Sequence, residues 1–145
     1  MKKCNEVMTK DPVCCLPADL VTKVAELMKS EHVGSIPVVD NEQTKKLVGI
    51  VTDRDLALKI VADKLDAKST KVEMVMTRKL VTCHAEDDLQ KAVDAMSENQ
   101  LRRIPIVDAD NKILGIIAQA DVMMHFDHPK KAAEMVKEIS RTNAK

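Results

Sequence analysis

The stretch "VGIVTDRDL" at residues 48–56 decides how this chain is read, because "LGIIAQADV" at residues 114–122 repeats it 66 positions later. Each run sets one glycine among β-branched residues and reaches an aspartate after a turn, but Thr52 of the first is Ala118 in the second. Working outward, an offset of 68 lays residues 8–40 on residues 76–108 without a gap, with 11 of 33 positions identical. Met8-Thr9 fall on Met76-Thr77, Cys15 on Cys83, Asp19 on Asp87, Met28 on Met96, and Ile36-Pro37 on Ile104-Pro105. The change of offset is absorbed between "NEQTKK" and "ADNK", polar stretches where a hairpin loop tolerates insertion. A chain that matches itself in this way is one structural unit written twice.

Each copy has the same local grammar. Val21, Val24, Ala25 and Met28 recur at helical spacing, as do Leu89, Ala92, Val93 and Met96, so each copy carries an amphipathic helix. "SIPVVD" and "RIPIVD" follow as short apolar strands with proline at the start, where a missing backbone donor is tolerated. "LVGIVT" and "ILGIIA" are near enough to pair with them as hairpins. "DRDLALKIVADKL" returns to helical spacing through Leu56, Ile60 and Val61. The unit is β-α-β-β-α, and the expected fold class is α+β: two tandem mixed units followed by a C-terminal helix. The expected divisions are 7–66, a connector at 67–74, 75–127, and a helix with its tail at 128–145. Thr70 and Glu73 have capping-box spacing, which makes the connector structured. In "HPKKAAEMVKEIS", Pro129 suits a first helical turn and Ala132, Met135, Val136 and Ile139 form a stripe.

Composition narrows the function. The 145 residues carry 23 basic and 23 acidic side chains without a basic stripe, and Phe126 is the sole aromatic residue, so nucleic acid is an unsuitable partner. No apolar run approaches the ~20 residues of a membrane span, and the basic start "MKKCNEVMTKDP" lacks an apolar signal core, so a cytoplasmic location is expected. Cys4, Cys14, Cys15 and Cys83 lack C-x-x-C spacing and are read as buried hydrophobes, and the nine methionines as core filler. His125 and His128 have no third ligand in view and are read as solvent-facing, with no metal expected. No catalytic motif is present, so the chain is not expected to be an enzyme.

The "VMT" start, the two "IPVVD" and "IPIVD" strands, "VGIVTDRDL" and "LRRIPIVD" together resemble the CBS domain, and the tandem resembles a CBS pair, or Bateman module. The resemblance covers residues 4–126 and is nearest to free-standing bacterial two-repeat proteins of the stress or hypoxic-response type. It implies two repeats related by a pseudo-two-fold axis, a homodimer, and adenine-containing ligands in two clefts.

Thr52 has two readings on its own residues. It is an N-cap with Asp55 as the reciprocal partner, or a hydroxyl that donates to a phosphate at a helix N-terminus. The resemblance assigns Asp55 to ribose and Thr52 to phosphate, completed by Leu80, Val81, Arg103, Ile104 and Pro105 with Arg102 nearby. Adjacent arginines supply permanent charge and planar donors for phosphate. The second implied cleft joins Asp121 to Pro12, Val13, Gly34, Ser35, Ile36 and Pro37. It lacks the hydroxyl and the arginines, so its phosphate contacts are expected to be weaker.

The reading that follows is a non-catalytic sensor of AMP, ADP, ATP, NAD or S-adenosylmethionine that needs no cofactor and acts on a regulated protein the sequence does not name. Two alternatives stand beside it: a redox or metal-responsive protein using Cys14, Cys15 and Cys83, and a ligand-free interaction scaffold.

Overall fold

The computed structural model describes residues 2–125, 133–134 and 136–139. In chain order the elements are α1 (Cys4–Val7), β1 (Thr9–Lys10), α2 (Val21–Glu31), β2 (Ser35–Val39), β3 (Leu47–Thr52) and α3 (Asp53–Leu56). There follow β4 (Cys83–His84), α4 (Leu89–Asn99), β5 (Arg103–Val107), β6 (Ile113–Ala118) and α5 (Gln119–Met123). Helix α3 runs on without a break into a π-helical turn, Ala57–Val61, and a 3₁₀ turn spans Val72–Met74.

The chain gathers into two compact units that do not follow the sequence repeats. One holds Pro12–Leu80 with Asn111–Ile113; the other holds the residues through Asp11, Val81–Asp110 and the described residues from Leu114 onward. The segment that leads into each repeat is therefore divided. In the second unit β1 pairs antiparallel with β6, Thr9 opposite Ile116, while β4 pairs parallel with β5, giving the order β1-β6-β5-β4. The first unit reproduces that order around the β2–β3 hairpin with single bridges: Thr77 antiparallel to Ile50, and Cys15 parallel to Val38.

The glycine of each quoted run is explained by this pairing. A Cβ on Gly49 would stand 2.7 Å from Met76 Sδ and 3.1 Å from the Thr77 carbonyl oxygen. A Cβ on Gly115 would stand 2.5 Å from Met8 Sδ and 2.8 Å from the Thr9 carbonyl oxygen. The "MT" pairs and the glycines are thus two halves of one contact in each unit.

Packing follows the helical stripes. Val21, Val24 and Met28 of α2 bury with Cys15, Ile36, Val38, Val51, Ile60 and Val72 in the first unit, while Ala25 stays exposed at the edge of its stripe. Leu89, Ala92, Val93 and Met96 of α4 bury with Ile104, Ile106, Ile117 and Val122 in the second. Both helices stop at a left-handed residue, His32 and Gln100, and Val33 and Leu101 donate back to Met28 and Met96. That closure satisfies carbonyls at the helix end without glycine.

Four expectations need correction. Pro37 and Pro105 are the third residues of their strands rather than the first. A residue's N–H and C=O point to the same side of a strand, and the Pro37 carbonyl accepts from Cys15. The missing donor therefore faces a neighbour that pairs at Cys15 alone. Thr70 caps nothing: its buried hydroxyl donates to the Asp66 carbonyl at 2.7 Å, and the 3₁₀ turn is preceded by Lys71. The connector is ordered by backbone bonds instead, Val21 to Thr70, Val72 to Asp19 and Glu73 to Pro17. Val61 is 76% exposed, because it is the immediate neighbour of buried Ile60 and falls on another face of the π-helical turn. Met74, Met123 and Met124 are exposed too, unlike buried Met28, Met76 and Met96.

Residues 133–134 and 136–139 are helical, and Ile139 is fully buried in the second unit's core. Phe126, His128, Pro129, Ala132 and Met135 lie outside the described residues.

Gly115→Ala is expected to destabilise the fold by about 1–3 kcal/mol, since the added methyl group meets backbone as well as a thioether. Gly49→Ala should cost less, because the Thr77 carbonyl is farther away and the methionine can turn aside. Urea unfolding measures both; an unchanged midpoint for Gly115→Ala contradicts the packing argument.

Candidate functional site

Strand β3 delivers Thr52 to the start of a continuous helical run, and the turn there closes on itself. Asp55 N–H donates to Thr52 Oγ1 at 3.1 Å, and Thr52 N–H donates to Asp55 Oδ2 at 2.9 Å, a reciprocal capping box. The other carboxylate oxygen, Oδ1, lies 3.2 Å from Lys59 Nζ, and the Asp55 side chain is 13% exposed. Thr52 is thus an N-cap. A hydroxyl both accepts and donates, and no acceptor among the described residues takes its hydrogen.

The expectation of free backbone donors at this helix start is not met. Asp53 N–H donates to the Gly34 carbonyl, Arg54 N–H to Asp53 Oδ1, and Asp55 N–H to Thr52. These three N–H groups are therefore all taken, one of them by the neighbouring strand entry, and the donor that the turn leaves open is the Thr52 hydroxyl. Sequence reasoning missed Lys59. Its signal was a lysine four residues beyond Asp55 on a helix, the spacing at which opposite charges meet.

The second turn is the same design with one bond missing. Ala118 N–H donates to Asp121 Oδ2 at 2.9 Å, but Ala118 has no oxygen to return, so Asp121 N–H goes uncapped by it. Gln119 N–H donates to the Arg102 carbonyl, as Asp53 does to Gly34 in the first repeat.

Within the first unit the fold brings Thr52 beside Ser35, its partner across the hairpin, and the unit also contains Pro12, Val13, Gly34, Ile36, Pro37, Asp55 and Leu80. Ser35, Ile36 and Pro37 are buried, while Pro12, Val13, Gly34 and Leu80 are half-buried. The second unit contains Val81, Arg102, Arg103, Ile104, Pro105 and Asp121. Arg102 is exposed and Arg103 half-buried, and neither is in an ion pair among the described residues.

The CBS domain family profile matches residues 4–62 and 72–128. The CBS domain-containing protein YhcV of Bacillus subtilis is 34% identical over 143 residues, 99% of each chain. An inosine-5'-monophosphate dehydrogenase of Methanocaldococcus jannaschii is 36% identical over 134 residues, 92% of this chain but 25% of that relative. This chain therefore spans a quarter of the dehydrogenase's length. The crystal structure of CBSX2 in complex with AMP superimposes with a TM-score of 0.71 at 30% identity, covering 94% of this chain and 99% of that one. No helix of the described residues is long and apolar enough to cross a membrane.

The thiols are held in their neutral form. Cys4, Cys15 and Cys83 are buried, and burial pushes Cys4 up to about 11 and Cys15 up to about 12, with Cys83 raised as well. Cys14 is half-buried on a cavity of about 420 Å³ that also contains Pro12, Val13, Lys23 and Lys45, and burial raises it too. Among the described residues no three His, Cys, Asp or Glu side chains gather as metal ligands. Thiolate is the nucleophile and the metal ligand, so this chemistry is suppressed at neutral pH. A thiol ionises near 8.5 in the unfolded chain and higher in the fold, so the stability it lends is complete below about pH 8.5 and is lost as pH rises through the folded values. Denaturant midpoints should fall above about pH 8.5, and less steeply in Cys4→Ala/Cys15→Ala. A midpoint that rises with pH in that range contradicts the assignment.

Proposed function

The chain belongs to the CBS-domain family, and on that premise we propose that it is a non-catalytic regulatory module that binds an adenine nucleotide reversibly. The observation that carries the proposal is the turn at Thr52–Asp55, where a carboxylate is held in place and a hydroxyl keeps its hydrogen. A carboxylate can accept from both hydroxyls of a ribose, and a hydroxyl can donate to phosphate. Support comes from CBSX2, which was crystallised with AMP and matches this chain over nearly its whole length.

In this reading Asp55 takes the ribose, Thr52 and the Arg102–Arg103 pair take phosphate, and Leu80, Val81, Ile104 and Pro105 supply apolar surface for adenine. Asp121 with Pro12, Val13, Gly34, Ser35, Ile36 and Pro37 forms a second, weaker site. AMP is the first ligand to try, with ADP, ATP and NAD behind it. The ligand acts by binding one conformation more tightly than another, which shifts their populations and changes what a regulated protein meets. The protein works in the cytoplasm as a homodimer, without nucleic acid or membrane partners. The match to a dehydrogenase covers a quarter of that enzyme and brings no catalytic role.

Asp55→Ala should weaken AMP by about ten- to hundredfold in calorimetry, the worth of charged hydrogen bonds of about 1.5–3 kcal/mol. Unchanged affinity removes Asp55 from the site. Arg102→Ala/Arg103→Ala should weaken AMP much more than adenosine and reduce the salt dependence of AMP binding. Equal losses for the two ligands would assign the arginines a structural role. An AMP-independent melting temperature in the parent would favour the ligand-free scaffold.

A further inference from the structure

The turn holds one more group that the nucleotide reading leaves unused. Lys59 Nζ lies 3.2 Å from Asp55 Oδ1 and also donates to the Val75 carbonyl at 2.8 Å. The ammonium is therefore fixed at both ends of its reach, to the carboxylate on one side and to backbone beside the 3₁₀ turn on the other. Its residue sits inside the π-helical turn Ala57–Val61, where Ala62 N–H reaches back five residues to the Ala57 carbonyl. Such turns are rare and recur at functional places.

The second repeat supplies the contrast. An offset of 66 puts His125 where Lys59 stands, and Asp121 has no ion pair among the described residues. Asp55 is thus held by a backbone N–H on one oxygen and the Lys59 ammonium on the other, whereas the one hydrogen bond seen on Asp121 is from Ala118 N–H.

Resting on the assignment of ribose to Asp55, we infer that Lys59 is a positioning residue: bound to Asp55 Oδ1 and the Val75 carbonyl, it fixes the carboxylate that reads the ribose hydroxyls. Two consequences follow from its chemistry. The carboxylate does not have to be ordered when ligand arrives, so less affinity is lost to restricting its rotation. The neighbouring positive charge also offsets the repulsion that a bare carboxylate exerts on an incoming phosphate.

The test compares AMP with 2'-deoxy-AMP in calorimetry for the parent, Asp55→Ala, Lys59→Met and Lys59→Arg. The parent should favour AMP. Lys59→Met should cut that preference by about three- to tenfold, in the lower part of the range of coupling between contacting groups. Lys59→Arg, which keeps charge and reach, should restore most of it. In the Asp55→Ala background, Lys59→Met should change the preference no further.

A Lys59→Met protein that keeps the full preference while Asp55→Ala loses it overturns the role of Lys59 and leaves Asp55 in place. Equal weakening of both ligands by Lys59→Met also overturns it, because that is the mark of a general structural support. A preference unaffected by Asp55→Ala, or no AMP binding by the parent, overturns the ribose assignment and this inference with it. Should Lys59→Met fail to fold, Lys59→Gln, neutral but able to donate to Val75, is measured in its place and read by the same outcomes.

Discussion

The close approach of a methionine-threonine pair to a glycine is the contact on which this structure depends. Met76-Thr77 lies against Gly49, and Met8-Thr9 against Gly115, so near that any side chain on the glycine meets sulfur or backbone oxygen. Because each pair is bonded to the strand behind that glycine, the sequence repeats are not the compact units. Residues through Asp11 belong with the second hairpin, and Met76-Thr77 with the first. The strand so anchored ends at Thr52 in one unit and at Ala118 in the other, and each end begins a helix whose third residue is an aspartate. The site chemistry is therefore placed by packing at the glycine, three residues upstream.

Much of the fold was legible because its signals are local. Helical spacing marked α2 and α4, and the paired β-branched runs marked both hairpins, since one buried face imposes a period on the sequence. The exchange of leading segments was hidden, because nothing in Met8-Thr9 says which hairpin it joins. The proline positions, the role of Thr70 and the exposure of Val61 were misjudged for a related reason. The prolines depend on a neighbour distant in sequence and Val61 on a change of helical period, while Thr70 turns its hydroxyl back to the Asp66 carbonyl instead of forward to a helix start.

The candidate site was legible in its residue types and less so in its bonding. Thr52 and Asp55 are adjacent and reciprocal, as their capping spacing suggests. What spacing did not reveal is that Asp53 and Gly34 consume the backbone donors beside them. What the turn leaves open is the hydrogen of the Thr52 hydroxyl, a side-chain donor rather than a backbone one. The burial that raises the cysteine values argues the other way for a thiol-based function.

The central claim is that an adenine nucleotide binds through the turn at Thr52–Asp55. Hydrogen exchange with and without saturating AMP tests it most directly, because slowed amides locate bound ligand along the chain. Slower exchange is expected to concentrate in residues 47–61 and 101–107. Saturating AMP that leaves both stretches unchanged, or slows exchange only elsewhere, would contradict it.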